Sequence, residues 1–375
     1  MAEERSIMEE SLLGKEIVSK TQSHEEQRKE KVVSKDIYMK EMKRICYLAG
    51  PMVAIGLSQY LLQVASIIIV GHLGELQLSS TALSISFTTV TGFSFLTGLN
   101  NVGGAIAMSI SIWLNMIFLG LYMRYSSSCA KTRAPISMEL FQGIWEFLRF
   151  AIPSAVMLCL EWWSFELMVL LSGLLPNPQL ETSVLSVCLN TIATLFMIPY
   201  GISAAASTRV SNELGAGNPF EARVAVLGAM SLALIEASIV SGTLFACRHV
   251  YGYIFSNDKE VIDYVTVMAP LVSISVILDS IQGVLTGIAR GCGWQHLGVY
   301  VNLGAFYLCG IPVAAALAFW VQVGGKGLWI GIQVGAFVQC VLLSIITSCI
   351  NWEQLAIKAR QRLFDVEFSA ENRLV

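Results

Sequence analysis

The chain has 375 residues, 55% of them hydrophobic and only 14% charged, with a formal net charge of −3 and a mean hydropathy of +0.64. Soluble domains carry about 25% charged residues, so this composition describes a polytopic membrane protein. A chain so close to neutral is not built for a nucleic-acid partner.

Residues 1–46 hold ten acidic and ten basic residues and no long apolar core. They read as a solvated, partly helical cytosolic tail rather than a signal peptide. Nine apolar segments follow, at 47–70, 81–99, 102–123, 144–175, 183–206, 224–247, 264–289, 297–321 and 327–350. Each is long enough for a transmembrane helix, and none shows the alternation of a barrel strand. The predicted fold class is therefore all-α, a membrane bundle of about nine transmembrane helices. The fourth segment is long enough to begin as an interfacial helix, Ile144 to Phe150, before entering the bilayer at Pro153. Residues 351–375 form a second charged tail. The nine cysteines include no CxxC pair and read as packing residues, with no disulfide framework or metal site.

Basic residues near span ends mark the cytosolic side. Lys40, Lys43 and Arg44 place the N-terminus inside. Arg124, Lys131 and Arg133 lie in the loop 124–143, Arg209 and Arg223 after the fifth segment, Arg290 after the seventh, and Lys358, Arg360 and Arg362 after the ninth. The alternate loops hold only Arg248, Lys259 and Lys326. The basic set belongs inside with the N-terminus. An inside N-terminus and an inside loop at 124–143 require an even number of crossings between them, yet the sequence offers three. Either an odd number of spans is missing, or one segment does not cross.

Internal similarity locates the break. "LAGP" at 48–51 matches "FAIP" at 150–153, and the same offset of 102 pairs Gly71 with Gly173, Leu73 with Leu175, and Leu83-Ser84 with Leu185-Ser186. The third segment instead resembles the ninth: "NVGGAIAM" (101–108) aligns with "GKGLWIGI" (325–332) at an offset of 224. The two offsets differ by 122 residues, room for three further spans. Residues 1–46 are thus a cytosolic tail, 47–123 a partial N-terminal lobe of three helices with a deletion near 99–101, 124–143 a cytosolic loop, 144–350 a six-helix C-terminal lobe, and 351–375 a cytosolic tail.

Four acidic residues lie within spans: Glu161, Glu166, Glu236 and Asp279. An ionised carboxylate in hydrocarbon is costly, so each must be protonated, pair with a cation or face a wet cavity. Asp279 is mid-span in "ISVILDSIQGVLTGIARG", with Gln282 one turn on and a row formed by Gly283, Gly287 and Gly291. That row suits close helix packing. Glu161 and Glu166 stand about 140° apart around a helix and cannot face one point together. Trp162, Trp163 and Phe165 can stack on a flat or cationic compound, or simply line helix contacts. Gln59 and Gln63 share a helix face, with Asn190 near their counterpart in the fifth segment; interhelical hydrogen bonds or a cavity lining would both suit them. Glu236 carries no motif. No metal-ligand spacing, cofactor motif or nucleophile–base pair supports an enzyme.

Several stretches resemble plant multidrug and toxic compound extrusion (MATE) transporters of the detoxification-protein type. They are "LAGPMVAIGLSQYLLQVASIIIVGHLGELQLSS" (48–80), "CLEWWSFELMVLLSGLLPNPQLETSVLSVCLNTI" (159–192), "AAASTRVSNELGAGNP" (204–219) and "GIARGCGWQHLGVYVNLGAFYLCGIP" (287–312). The resemblance implies two six-helix lobes, with the third to fifth helices of the first lobe missing here. It also implies export of small organic compounds by proton antiport, with the carboxyls of Glu161 and Asp279 coupling protons and Glu166 as a further candidate. The substrate-cavity candidates, read from residue type and helix placement, are Gln59, Gln63, Trp162, Trp163, Asn190 and Gln282. The implied partners are a small organic substrate, protons and the bilayer of a vacuolar or plasma membrane. The alternative expectation is a truncated, transport-incompetent isoform that is inactive or associates with full-length copies and modulates them.

Overall fold

The computed structural model describes residues 35–57, 117, 121, 124–125 and 144–371. Gln59, Gln63, the junction at 99–101, the second apolar segment and all but residues 117 and 121 of the third lie outside these residues. Among the described residues, six helical spans between Phe147 and Ser348 are long and apolar enough to cross a membrane.

Helix α1 covers 35–57 and begins well inside the polar tail expected through residue 46. Its extension is amphipathic. Glu41, Ile45 and Ala49 are buried at a spacing of four while Lys40 and Lys43 face outward, which puts one stripe of the helix against the bundle. Helix α2 (Ile144–Ser172) runs unbroken with Pro153 inside it. The chain therefore makes no separate interfacial helix at Ile144 to Phe150.

Helices α3 (Pro178–Leu195) and α4 (Met197–Gly215) join through Phe196, whose φ of −62° and ψ of −18° stay helical. They form one span of 38 residues, reaching past the apolar segment expected to end at 206. The added turns are polar and are held by charge. Arg209 binds Glu41 of α1 with two nitrogens, Nε to Oε1 and Nη2 to Oε2, the second at 3.0 Å, and Nη2 also reaches Glu213 Oε1 at 2.6 Å. At Gly217 the backbone turns with φ at +79°, a conformation that glycine adopts freely, and Pro219 opens the next helix at its first position.

Helix α5 (Pro219–Ala246) is followed by a short helix absent from the sequence expectation, α6 (Arg248–Phe255). Tyr251, Gly252 and Phe255 anchor α6 in the core. Helix α7 (Lys259–Gly291) is capped at its start by Asp258, which accepts from the Glu260 N–H at 2.9 Å. The last two spans are α8 (Gln295–Trp320) and α9 (Gly325–Ser348). In α8 the register widens to π-helical at Leu303–Gly310 and Ala316–Trp320, flanking Pro312, which cannot donate to the helical ladder. Helix α10 (Trp352–Glu371) returns beneath α4 and α5.

Helix α7 is the hub, packing against α3, α4, α5, α6 and α9. One apolar core surrounds Trp329, Phe306 and Met268. The other gathers Ile45, Val210, Leu214, Ile288, Leu343 and Trp352 at the basic end.

A buried carboxyl pair as the candidate functional site

Helix α7 can lie close to α4 because its glycines remove side chains from the contact. A Cβ at Gly283 would meet the Phe196 ring at 2.9 Å, one at Gly287 would overlap the Ser203 carbonyl, and one at Gly291 would meet the Ser207 carbonyl at 2.7 Å. Ser203 fastens the same contact by donating to the Gly283 carbonyl at 2.6 Å. The glycine row thus brings Asp279, one turn before it, beside the junction of α3 and α4.

Glu161 arrives from α2. Gln282 Nε2 donates to Glu161 Oε1 at 2.8 Å, and Gln339 approaches the same carboxyl from α9. Glu161, Asp279 and Gln282 are each at most 5% exposed. With Trp162, Phe165, Leu189, Ile192, Ala193 and Phe196 they line a tight cavity of about 20 Å³. Asp279 also lines a smaller neighbouring space with Ser280, Pro199 and Phe196. Trp162 and Phe196 meet edge to face with centroids 6.2 Å apart, so the wall opposite the carboxyls is aromatic.

The electrostatics of the pair are unusual. Among the described residues neither oxygen of Asp279 has a hydrogen-bond partner, and Glu161 Oε2 has none. Among the described residues no Lys or Arg lies within ion-pair distance of either. The nearest cation to act on Glu161 is Arg290, which is tied to Ser203 Oγ at 3.0 Å. A buried carboxyl without a cation or a full set of donors strongly favours its neutral state. Such a group releases its proton only when water or a cation enters.

The remaining expected residues are dispersed. Glu166 is buried but does not line this cavity, as its turn away from Glu161 requires. Trp163, one residue beyond Trp162 and so about 100° around the helix, is 39% exposed and outside the lining. Asn190 spends its amide on the Ser186 carbonyl at 2.7 Å and is also outside. Two residues near the site, Phe196 and Gln339, are not singled out in the sequence. Phe196 sits at a helix junction. Gln339 is fully buried and donates to Asn302 Oδ1 at 2.8 Å, while Asn302 in turn donates to the Met157 carbonyl. Glu236 accepts from Ser280 Oγ at 2.9 Å, which sets a third carboxyl one residue from Asp279. Among the described residues no group of three or more His, Cys, Asp or Glu could hold a metal ion.

Comparison with known proteins gives this arrangement a family. The MatE family pattern matches residues 153–316. Protein DETOXIFICATION 12 of Arabidopsis thaliana is 46% identical over 442 residues, covering 86% of this chain and 92% of its own. Protein DETOXIFICATION 14 of the same plant is 42% identical, with 91% and 95% covered. The crystal structure of the eukaryotic MATE transporter AtDTX14 superposes with a TM-score of 0.80 at 42% identity, covering 87% of this chain and 99% of that one. Eighty-six per cent of 375 residues is about 322, so about 120 of the 442 aligned positions of the first relative have no counterpart here. The chain belongs to the MATE transporter family, among the plant detoxification proteins.

Proposed function

We propose that this protein exports small organic compounds in exchange for protons, and that Glu161 and Asp279 carry those protons. One observation supports the reading above all: two buried carboxyls share a cavity with an aromatic wall, and no cation among the described residues pairs with either. With both carboxyls protonated, the cavity is neutral and closes easily. Deprotonation leaves negative charge facing Trp162, Phe165 and Phe196, a setting that attracts a flat organic cation or a polar aromatic compound. Protons from the acidic side displace the compound, and the helices repack around α7 as the site empties. Residues 144–350 form the proton-handling lobe, and 47–123 supplies a partial first lobe.

The test is substrate flux in proteoliposomes under an imposed pH gradient. The chain should accumulate a fluorescent organic cation, and a protonophore should abolish the signal. Glu161→Gln and Asp279→Asn should each remove the gradient dependence; unchanged gradient-driven flux in both would overturn the assignment.

A second reading is favoured by the roughly 120 aligned positions without a counterpart, close to the 122 residues separating the two internal offsets. In it, three spans are missing near 99–101, the cavity lacks part of its first-lobe wall, and the chain does not transport but associates with full-length copies. Protonophore-sensitive flux through the chain alone would exclude this reading.

A further inference from the structure

The face of α7 that carries Asp279 does not end there. Asp279, Gln282, Thr286 and Arg290 fall within about 80° of one another around the helix, and at about 1.5 Å per residue the row is about 16 Å long. It runs from the carboxyl pair to the end of the bundle where Arg209 and Arg223 also lie. Apolar packing would be the ordinary content of such a face. Instead, every level of the row presents a buried polar atom that has no partner among the described residues: both carboxyl oxygens of Asp279, Gln282 Oε1, Thr286 Oγ1 and Arg290 Nε. Gln295 continues it in the next helix. Its Nε2 donates to the Arg290 carbonyl at 3.3 Å, and its buried Oε1 has no partner. Thr286 is 2% and Gln282 1% exposed.

Buried polar atoms are nearly always satisfied, by protein or by ordered water, and leaving one bare costs about 1–3 kcal/mol. An isolated exception would mean little. A continuous line of exceptions along one helix face, ending at a cation, has the chemistry of a water file. The geometry points to a hydrated proton path along this face of α7, from Asp279 to the basic end, with Arg290 as the charge that holds it closed. This rests on the reading of Asp279 as a proton carrier.

Along the path, a proton leaves the Asp279 carboxyl for the first water. It passes through the Thr286 hydroxyl, which accepts one proton and releases another, and emerges at the basic end. Gln282 Oε1 and Gln295 Oε1 accept hydrogen bonds and orient the water without changing protonation. Arg290, held on Ser203 Oγ, opposes a passing proton by its positive charge. The file is then not a leak, and the conformational change that moves Arg290 off Ser203 opens it. Thr286 relays the proton and Arg290 is a positioning residue, and neither needs to touch the exported compound.

The test is infrared spectroscopy of the purified full chain in lipid, following hydrogen–deuterium exchange of the protonated carboxyl band that Asp279→Asn deletes. Thr286→Val, which keeps the shape and removes the hydroxyl, should slow exchange roughly tenfold, the effect of one lost hydrogen bond in the path. Thr286→Ser should restore it. Arg290→Gln, which still reaches Ser203, should speed exchange, and Arg290→Lys should not. Equal exchange rates in wild type, Thr286→Val and Arg290→Gln would overturn the path while leaving Asp279 as carrier. The absence of any carboxyl band sensitive to Asp279→Asn would overturn the carrier reading and the path together.

Discussion

Replacing Glu41 with Ala removes a carboxylate that is only 2% exposed and leaves its partner Arg209, 13% exposed, with Glu213 alone. Breaking a buried ion pair from one side costs about 3–5 kcal/mol, because the surviving charge stays desolvated. Glu213 still neutralises part of Arg209, which places Glu41→Ala near the lower limit, about 3 kcal/mol or roughly a hundredfold in the unfolding equilibrium. Glu41→Gln keeps an acceptor for the guanidinium and should cost about 1–2 kcal/mol. Denaturant titration in detergent, followed by tryptophan fluorescence, gives these values. A cycle of Glu41→Gln, Arg209→Gln and the double variant should return a coupling of about 2 kcal/mol. Because the pair joins segments 168 residues apart, it also fixes how α1 sits against α4. A Glu41→Ala variant within about 0.5 kcal/mol of wild type, the range of ordinary surface substitutions, would refute the reasoning.

Four other outcomes follow from the same geometry. Gly287→Val drives a side chain into the Ser203 backbone and should lower stability by about 1–3 kcal/mol. Gly242, which has nothing within 4 Å of its Cβ position, should accept Ala with a gain of about 0.5–1 kcal/mol; thermal unfolding compares the two sites. Glu181 Oε2 accepts from the Gly325 N–H at 3.1 Å and from the Tyr264 hydroxyl at 2.8 Å. Since a carboxylate at a helix N-terminus contributes about 0.3–1 kcal/mol, Glu181→Gln should loosen the start of α9 by that amount, read as faster amide exchange at residues 325–328. Trp162→Ala removes part of the aromatic wall and should weaken binding of a flat organic cation roughly tenfold, measured by tryptophan quenching or calorimetry.

Much of this architecture is legible in the sequence because hydropathy and helix period carry it. The six spans from Phe147 to Ser348 fall within a few residues of the apolar segments, and Asp279 draws notice because a charge inside such a run has few explanations. Its glycine row announces the close approach to α4. Other features depend on distant partners and leave no local mark. The polar turns of α4 beyond residue 206 look like loop until Glu41 meets Arg209 across 168 residues. Phe196 enters the cavity through a helix junction marked only by Pro199 in the first turn of α4. Gln339 resembles any polar residue in a span until Asn302 pairs with it. Trp163 and Asn190 lie outside the cavity that Glu161 and Asp279 line, Trp163 by helix phase and Asn190 with its amide bonded to the Ser186 carbonyl.

The central claim is that Asp279 exchanges a proton for each turn of transport. Simultaneous recording of cation and proton flux in proteoliposomes of the 375-residue chain tests it most directly. The account predicts opposed cation and proton fluxes in wild type, both dissipated by a protonophore, and loss of the proton flux in Asp279→Asn. Undiminished proton-coupled flux in Asp279→Asn would contradict it.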